Sequence, residues 1–168
     1  MSIYDIVFDR LMDHEGSCIN HPNDPSGETM YDVTKRVAQA HGYYGDMRKL
    51  PKSLAKKITE KSYYKAAKGG QLDRLIACQL TVAAYNHGSI QAVKFLQRAV
   101  GAGADADADG LIGPLKLAAV AAMDKNDVVF LFNAERIDFY TGVRGWISFG
   151  KGWARRIASN LRFAASDN

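Results

Sequence analysis

Helical spacing of apolar residues is the feature of this 168-residue sequence that most constrains its fold. Near the start, Ile3, Val7 and Leu11 recur at every fourth position, which places them on one face of an amphipathic helix. The same period recurs along most of the chain, whereas the strict alternation typical of half-buried strands is nearly absent. The sequence therefore predicts an all-α, or mainly α-helical, fold with one minor β hairpin near residues 17–34.

Turn and capping residues divide the chain into predicted helices. The predicted ranges are 2–14, 34–40, 53–67, 72–85, 89–100, a helix opened by Gly113-Pro114, a long helix to Tyr140, and 152–164. Residues 72–85 form the most apolar stretch, so this helix is expected to be central and buried. We expect Ser89 to cap one helix, and either Asn126 or Asp127 to cap the long one. Pro114 is expected at the first position of its helix.

Composition and charge restrict the classes of protein that fit. A chain of this length buries enough surface to fold without a disulfide or a metal. The 22 Lys and Arg residues exceed the 18 Asp and Glu residues, which favours anionic partners only weakly. No dense basic run points to nucleic acid, and a monomer is expected. Cys18 and Cys78 lack a paired spacing and are expected to be free thiols.

Two carboxylates near the first helix are the strongest chemical signal. Glu15 lies at the carboxyl end of that helix, where the helix dipole disfavours a negative charge and favours a protonated acid. Asp24 follows nine residues later in a polar turn, where it should stay ionised. A pair of this kind is the equipment for glycoside hydrolysis, and Thr29 could hold a water against Asp24. The alternative is that Glu15 is a surface residue and Asp24 only caps a turn.

The residues around this pair carry a family resemblance. The chain reads His14-Glu15-Gly16-Ser17, then Asn20 to Thr29, then Asp32-Val33-Thr34. This order resembles the glycoside hydrolase family 108 muramidases, whose signature is His-Glu-Gly-Gly, Asn-Asp-Pro-x-Asp-Pro-Gly-Gly-x-Thr and Gly-Ile-Thr. Ser17, Ser26 and Asp32 stand where that family has glycine, and a non-glycine residue at position 32 is expected to strain a turn that needs positive φ.

The second half of the chain resembles the predicted peptidoglycan domain that is usually fused to this family. The matching residues are Phe95 to Ala99, Asp109 to Pro114, Arg136 to Tyr140, and Phe149 to Arg156. In the first half, Tyr63-Tyr64 falls where family 108 has a tyrosine-rich helix. The resemblance therefore covers nearly the whole chain in the family's order.

The resemblance implies a lysozyme-like domain over residues 1–88 and a peptidoglycan-binding-like helical subdomain over 89–168. It implies an endo-acting N-acetylmuramidase that needs no cofactor, with Glu15 as the essential acid and Asp24 and Thr29 beside it. The expected partner is the glycan strand of bacterial peptidoglycan. The expected role is that of a phage endolysin; a muramidase that aids toxin or protein secretion and a non-catalytic wall-binding module are the alternatives.

The start of the chain bears on where the protein is made. Asp5, Asp9 and Arg10 interrupt any apolar run that could serve as an export signal. We therefore expect synthesis in the cytoplasm and action on the periplasmic cell wall after release or export.

Five further residues are candidates for binding the glycan: Thr34, Tyr85, Asn86, Trp146 and Phe149. Asn86 could hydrogen-bond a sugar N-acetyl group, although its position near a helix end also suits a C-cap. Aromatic rings at 146 and 149 could stack on sugars, and the basic residues nearby could attract an anionic envelope.

No metal site is predicted. Asp105, Asp107 and Asp109 imitate a calcium-binding loop, but its twelfth position is Lys116 where a glutamate is required. His14, Cys18 and His21 overlap the proposed catalytic loop and lack the spacing of a zinc site.

Overall fold

The computed structural model describes residues 2–14, 28–31, 33–101 and 108–167, without the side chains of residues 13 and 14. The α-helices in these ranges are α1 Ile3–His14, α2 Lys35–Ala40, α3 Lys52–Thr59, α4 Arg74–His87, α5 Ser89–Ala99, α6 Pro114–Ala121, α7 Lys125–Gly142 and α8 Trp146–Ser166. A hairpin of β1 Thr29–Met30 and β2 Val33–Thr34 lies between α1 and α2. The predicted mainly α-helical fold with one small hairpin is confirmed.

Helix α4 lies at the centre of the fold. Every residue from Leu75 to Thr81 is buried, as are Ala83 and Ala84. Helices α1, α5, α7 and α8 all pack on α4. The prediction of a central, buried helix is therefore correct. The helix begins at Arg74 because Asp73 caps it by accepting a hydrogen bond from the Leu75 amide at 2.8 Å.

Two predicted caps are wrong. Helix α7 is capped by Asp124, whose Oδ1 accepts hydrogen bonds from the amides of Asn126 and Asp127 at 2.8 and 3.4 Å. The two residues predicted to cap it therefore lie in its first turn. Ser89 does not cap α5 either: its hydroxyl donates to the Ser62 carbonyl at 2.8 Å and so ties α5 to another segment.

Helix α8 begins at Trp146, six residues before the predicted start at Gly152. Glycines at 150 and 152 suggested a break, but both lie inside the helix. A Cβ at Gly150 would approach the Trp146 ring to 2.6 Å. Gly150 is therefore needed for the indole of Trp146 to lie against α8, and it does not terminate the helix.

The hairpin pairs Thr29 with Thr34 and Met30 with Val33 in antiparallel register. Tyr31, in the turn, has a φ of 51°, the left-handed conformation. Asp32, for which the sequence predicts a positive φ, lies outside the described residues. Thr34 also caps α2, because its Oγ1 accepts from the Val37 amide at 3.3 Å.

Helix α3 continues into a π-helical turn over Glu60–Lys65, and 3₁₀ turns cover Met47–Lys49 and Gly69–Gln71. π-helical turns are rare and displace the side chains that follow them. Here the turn carries Ser62, Tyr63 and Tyr64. No helix in the described ranges is both long and apolar enough to cross a membrane.

The cap of α7 gives a test of the corrected helix start. Asp124→Ala should lower the free energy of unfolding by about 1 kcal/mol, because two amides in the first turn lose their acceptor. For a chain of this size that is a fall in Tm of about 2–4 °C, measured by circular dichroism. Asn126→Ala is the matched control and should change the stability by less than about 0.5 kcal/mol. Equal losses in the two variants would contradict the assignment of the cap.

Candidate active site

Three chain segments that are distant in sequence meet in one hydrophobic cluster. It contains Leu11 and Met12 from the last turns of α1, Tyr31 from the hairpin turn, and Val82 and Tyr85 from the last turns of α4. The hydroxyl of Tyr85 donates to the Tyr31 carbonyl at 2.6 Å. The hairpin is therefore fixed to the carboxyl end of α4, beside the carboxyl end of α1.

The predicted catalytic residues fall partly in this region. Thr29 lies in β1, directly across the hairpin from Thr34. Glu15 and Asp24 lie outside the described residues, and their roles remain predictions. In the sequence, Glu15 directly follows His14, the last residue of α1.

Tyrosine rings extend from the hairpin to the π-helical turn. The Tyr63 ring lies 4.9 Å from that of Tyr85, measured between centroids. Ser62, beside Tyr63, bonds His41 Nε2 through its hydroxyl at 3.1 Å. Tyr31 and Tyr63 were not among the residues predicted to bind the glycan. The only signal for these tyrosines in the sequence was the Tyr63-Tyr64 pair, because Tyr31, Tyr63 and Tyr85 do not recur at a regular interval.

Asn86 connects α4 to α8. Its Nδ2 donates to the Val82 carbonyl at 2.9 Å, and its Oδ1 accepts from Arg156 Nη1 at 2.6 Å. It lies inside α4 and is not its C-cap; the C-cap is Gly88, with φ 79°. The predicted contact between Asn86 and a sugar stays a prediction. The bond between Arg156 and Asn86 was not predicted, because the two residues lie 70 positions apart in the sequence.

A cavity of about 240 Å³ lies between α1, α4 and α8. Its lining residues are Val7, Arg10, Leu11, Cys78, Gln79, Val82, Asn86, Gly152, Arg155, Arg156, Ser159, Asn160 and Phe163. Cys78 is a free, buried thiol, and burial raises its pKa to about 11. It therefore behaves as an apolar wall residue at neutral pH.

The two predicted aromatic contacts lie elsewhere. Trp146 lines a second cavity, of about 170 Å³, between α7 and α8, together with Ile137, Tyr140, Ala154, Ile157, Ala158 and Leu161. Phe149 is 41% exposed and lines neither cavity. The structure thus brings Tyr85 close to the hairpin that carries Thr34. Asn86 and Trp146, by contrast, line two different cavities.

Aromatic rings surround His87 at the end of α4. The centroids of Tyr140, Phe95 and Phe139 lie 4.7, 5.1 and 5.5 Å from the imidazole. Burial, followed by the charges of Arg136 and Arg156, lowers the pKa of His87 to about 3. His87 is therefore neutral at every pH near neutrality.

A chain of buried hydrogen bonds joins α7, α4 and α8. Arg136 Nη1 donates to Asn133 Oδ1 at 3.1 Å, and Asn133 Nδ2 donates to Gln79 Oε1 at 3.2 Å. Gln79 Nε2 in turn donates to the Asn160 carbonyl at 2.9 Å. Because all four residues are buried, this network sets how the C-terminal helices sit on α4.

The described part of the chain contains no cluster of potential metal ligands. No group of three His, Cys, Asp or Glu residues there could hold an ion. Asp109, from the calcium-like loop, accepts from Lys116 Nζ at 2.6 Å, so an ammonium group lies beside this carboxylate. Asp105 and Asp107 lie outside the described residues.

Comparison with known proteins agrees with this architecture. Residues 8–88 match the family described as Glycosyl hydrolase 108, and residues 91–158 match the one described as Predicted Peptidoglycan domain. The structure of SagA from Brucella abortus is similar to this chain, with a TM-score of 0.88 and 27% sequence identity, over 97% of this chain and 94% of that chain. No curated protein matches the chain.

The fold and the matched families together define a peptidoglycan hydrolase of the lysozyme-like type, a glycoside hydrolase. Residues 8–88 belong to glycoside hydrolase family 108, and residues 91–158 form a C-terminal predicted peptidoglycan domain. The resemblance seen in the sequence is confirmed. The division of the chain at residue 88 stays a prediction.

The bond between Tyr85 and Tyr31 can be tested directly. Tyr85→Phe should lower the free energy of unfolding by about 1 kcal/mol, because the Tyr31 carbonyl loses its donor. The loss is measured by urea denaturation. Tyr44→Phe is the matched control, since Tyr44 is 78% exposed, and it should change the stability by less than about 0.5 kcal/mol. A loss in the control as large as that in Tyr85→Phe would show that the hydroxyl does not anchor the hairpin.

The burial of His87 predicts a dependence of stability on acid. Its pKa is about 3 in the folded protein and 6.5 when unperturbed, so between these values the unfolded chain binds more protons. The free energy of unfolding should therefore fall as the pH drops below about 6.5, by up to about 1.4 kcal/mol per pH unit. His87→Phe should flatten this dependence in urea titrations at pH 7, 5 and 4. An unchanged slope would show that other groups cause the acid sensitivity.

Proposed function

We propose that this family 108 protein is an endo-acting N-acetylmuramidase that cleaves the β-1,4 bond between N-acetylmuramic acid and N-acetylglucosamine. The observation that carries the proposal is the meeting of the ends of α1 and α4 with the hairpin turn, through Leu11, Tyr31 and Tyr85. Those segments carry or directly precede Glu15, Thr29 and Asn86. A glycosidase needs its acid and its water-positioning groups on such converging, rigid elements.

Glu15 is proposed as the general acid that protonates the glycosidic oxygen as the bond breaks through an oxocarbenium-like state. It directly follows α1, whose Val7 and Phe8 are almost completely buried. A hydrogen bond between the hydroxyl groups of Tyr4 and Thr59 also holds this helix. A firmly packed helix before the acid favours a fixed position for its carboxyl group.

Asp24 and Thr29 are proposed to act on the positive charge that develops on the sugar or on the attacking water. Asp24 either stabilises the developing positive charge or, together with Thr29, activates the attacking water. We favour the water-mediated, inverting route, which requires carboxyl groups roughly 6.5–9.5 Å apart. Pairing with Thr34 holds the backbone of Thr29 in the strand, which supports a positioning role.

The glycan is proposed to contact the tyrosines beside the hairpin, together with Thr34 and Asn86. Tyr31, Tyr63 and Tyr85 offer ring faces and hydroxyls next to the ends of α1 and α4, and rings of this kind bind amphipathic ligands well. Trp146 and Phe149, which lie on α8, would contact the glycan only farther along the strand.

The proposed setting is lysis of a bacterial host by a phage endolysin that reaches the periplasmic wall after release. A muramidase that aids secretion of a toxin or another protein would perform the same reaction. In both settings the basic residues of α8, among them Lys151, Arg155 and Arg162, would attract the anionic envelope.

The general acid is tested with Glu15→Gln. This variant should lose at least about 100-fold in the rate of turbidity loss of purified Gram-negative sacculi, because the amide cannot donate the catalytic proton. Circular dichroism should show an unchanged fold. Glu28→Gln is the matched control: it removes a carboxylate from the same part of the chain, one that pairs with Lys35 at 3.3 Å, and should keep the activity.

Mass spectrometry of the released fragments identifies the bond. Fragments with a reducing N-acetylmuramic acid end would support the muramidase proposal, whereas a reducing N-acetylglucosamine end would contradict it. Full activity in Glu15→Gln would exclude Glu15 as the acid. Absence of any release by the wild-type protein would instead favour a non-catalytic wall-binding module.

A further inference from the structure

A hydrogen bond joins the two matched segments of the chain at the carboxyl end of α4. Arg156 Nη1, on α8, donates to Asn86 Oδ1 at 2.6 Å. Asn86 lies in the segment that matches the glycosyl hydrolase family, and Arg156 lies in the one that matches the predicted peptidoglycan domain. A bond from a charged donor is stronger than one between neutral groups. The second segment therefore supplies a strong, directional contact to the last turn of the central helix.

This bond sets the orientation of the Asn86 carboxamide. A guanidinium group can only donate hydrogen bonds, so the oxygen of the amide has to face Arg156. The amide nitrogen then donates to the Val82 carbonyl, one helical turn earlier, at 2.9 Å. An amide nitrogen carries two hydrogens, and the Val82 carbonyl takes one of them. The second hydrogen can serve an acceptor on a ligand.

Arg156 is presented by a helix that is itself held in place. The carbonyl of Asn160, one turn farther along α8, accepts from Gln79 Nε2 at 2.9 Å, and both residues are buried. At the end of α8, both terminal nitrogens of Arg10 donate to the Asp167 carboxylate. These contacts attach α8 to α4 and to α1. A side chain on such a rigid element can position its partner precisely.

The last turn of α4 also makes the contact to the hairpin. Tyr85, which precedes Asn86, donates to the Tyr31 carbonyl at 2.6 Å. This turn is therefore bonded both to the hairpin that carries Thr29 and to α8. Asn86 is half-buried and lines the cavity of about 240 Å³ between α1, α4 and α8, so a group of a ligand can reach it.

We propose that Arg156 is a positioning residue of the hydrolase, which orients the Asn86 carboxamide so that its second Nδ2 hydrogen donates to an acetamido oxygen of the glycan. The inference rests on the proposed function, in which Asn86 contacts the glycan. Both sugars of the glycan are N-acetylated, so each offers such an oxygen. Because two bonds already hold the amide, little side-chain freedom is lost when the sugar binds. The predicted peptidoglycan domain thereby contributes to the substrate site of the hydrolase segment.

Binding of a tetramer of N-acetylglucosamine, a soluble fragment with the same acetamides, tests this inference by calorimetry. Arg156→Met and Asn86→Ala should each weaken binding about 3–10-fold, the factor that one neutral hydrogen bond contributes. Arg156→Lys should bind more tightly than Arg156→Met, since its ammonium group still donates one bond. Arg144→Met is the matched control, because Arg144 is an exposed arginine of the same matched segment that lies just before α8. It should bind as the wild type does.

The double variant decides whether Arg156 acts through Asn86. Arg156→Met combined with Asn86→Ala should bind no more weakly than Asn86→Ala alone, because the amide that Arg156 orients is gone. Losses that multiply, to about 10–100-fold, would show that Arg156 acts independently of Asn86 and would overturn the inference. In nuclear magnetic resonance spectra, the side-chain amide signal of Asn86 should shift with the tetramer in the wild type and not in Arg156→Met. A wild-type signal that does not shift would also overturn it.

Cleavage of sacculi separates this inference from the proposed function. Arg156→Met should raise KM about 3–10-fold and leave kcat within about twofold, because the lost bond stabilises the bound substrate and the transition state alike. A fall in kcat with KM unchanged would overturn the positioning role while the muramidase stands. A wild type that binds the tetramer but cleaves no sacculi would remove the muramidase proposal. The dependence of binding on Arg156 and Asn86 would then still support the positioning role, and its absence would overturn it.

Discussion

Burial of α4 is the constraint on which the rest of the structure depends. Seven consecutive residues, from Leu75 to Thr81, are removed from water, so the helix needs neighbours on every side. Each fully buried large apolar side chain contributes about 1.5–3 kcal/mol, and the surrounding helices supply the surfaces that make this burial possible. Helices α1 and α5 cover it from the first half and the middle of the chain, and α7 and α8 from the second half. Both matched segments therefore share one core.

The polar residues of that core decide how the helices are oriented. Hydrophobic contact has no direction, whereas the bonds from Arg136 to Asn133, Gln79 and the Asn160 backbone have specific geometry. They fix α7 and α8 on α4, and Asn86 adds a second link to α8 through Arg156. The same packing leaves the cavity beside α1. The cavity is thus a consequence of how α8 is held on α4 beside α1.

Local patterns predicted much of this molecule because their causes are local. The four-residue spacing of Ile3, Val7 and Leu11 predicted α1, and Gly113-Pro114 predicted the start of α6. Capping was harder, since Asp124, Asn126 and Asp127 are all acceptable caps and only the backbone geometry selects the first. The start of α8 was missed because Gly150 looks like a helix breaker in the sequence but provides space for Trp146.

The sequence by itself determined the mainly helical fold, the hairpin and the family, because periodicity and motif spacing depend on residues that are close together in the sequence. It also indicated Glu15, Asp24 and Thr29 as a chemical group. Only the tertiary structure decided that Tyr85 bonds the hairpin turn, that Asn86 bonds Arg156, and that the cavity brings residues of α1, α4 and α8 together. These contacts join residues that are 54 and 70 positions apart, and no local pattern encodes which helix packs beside which.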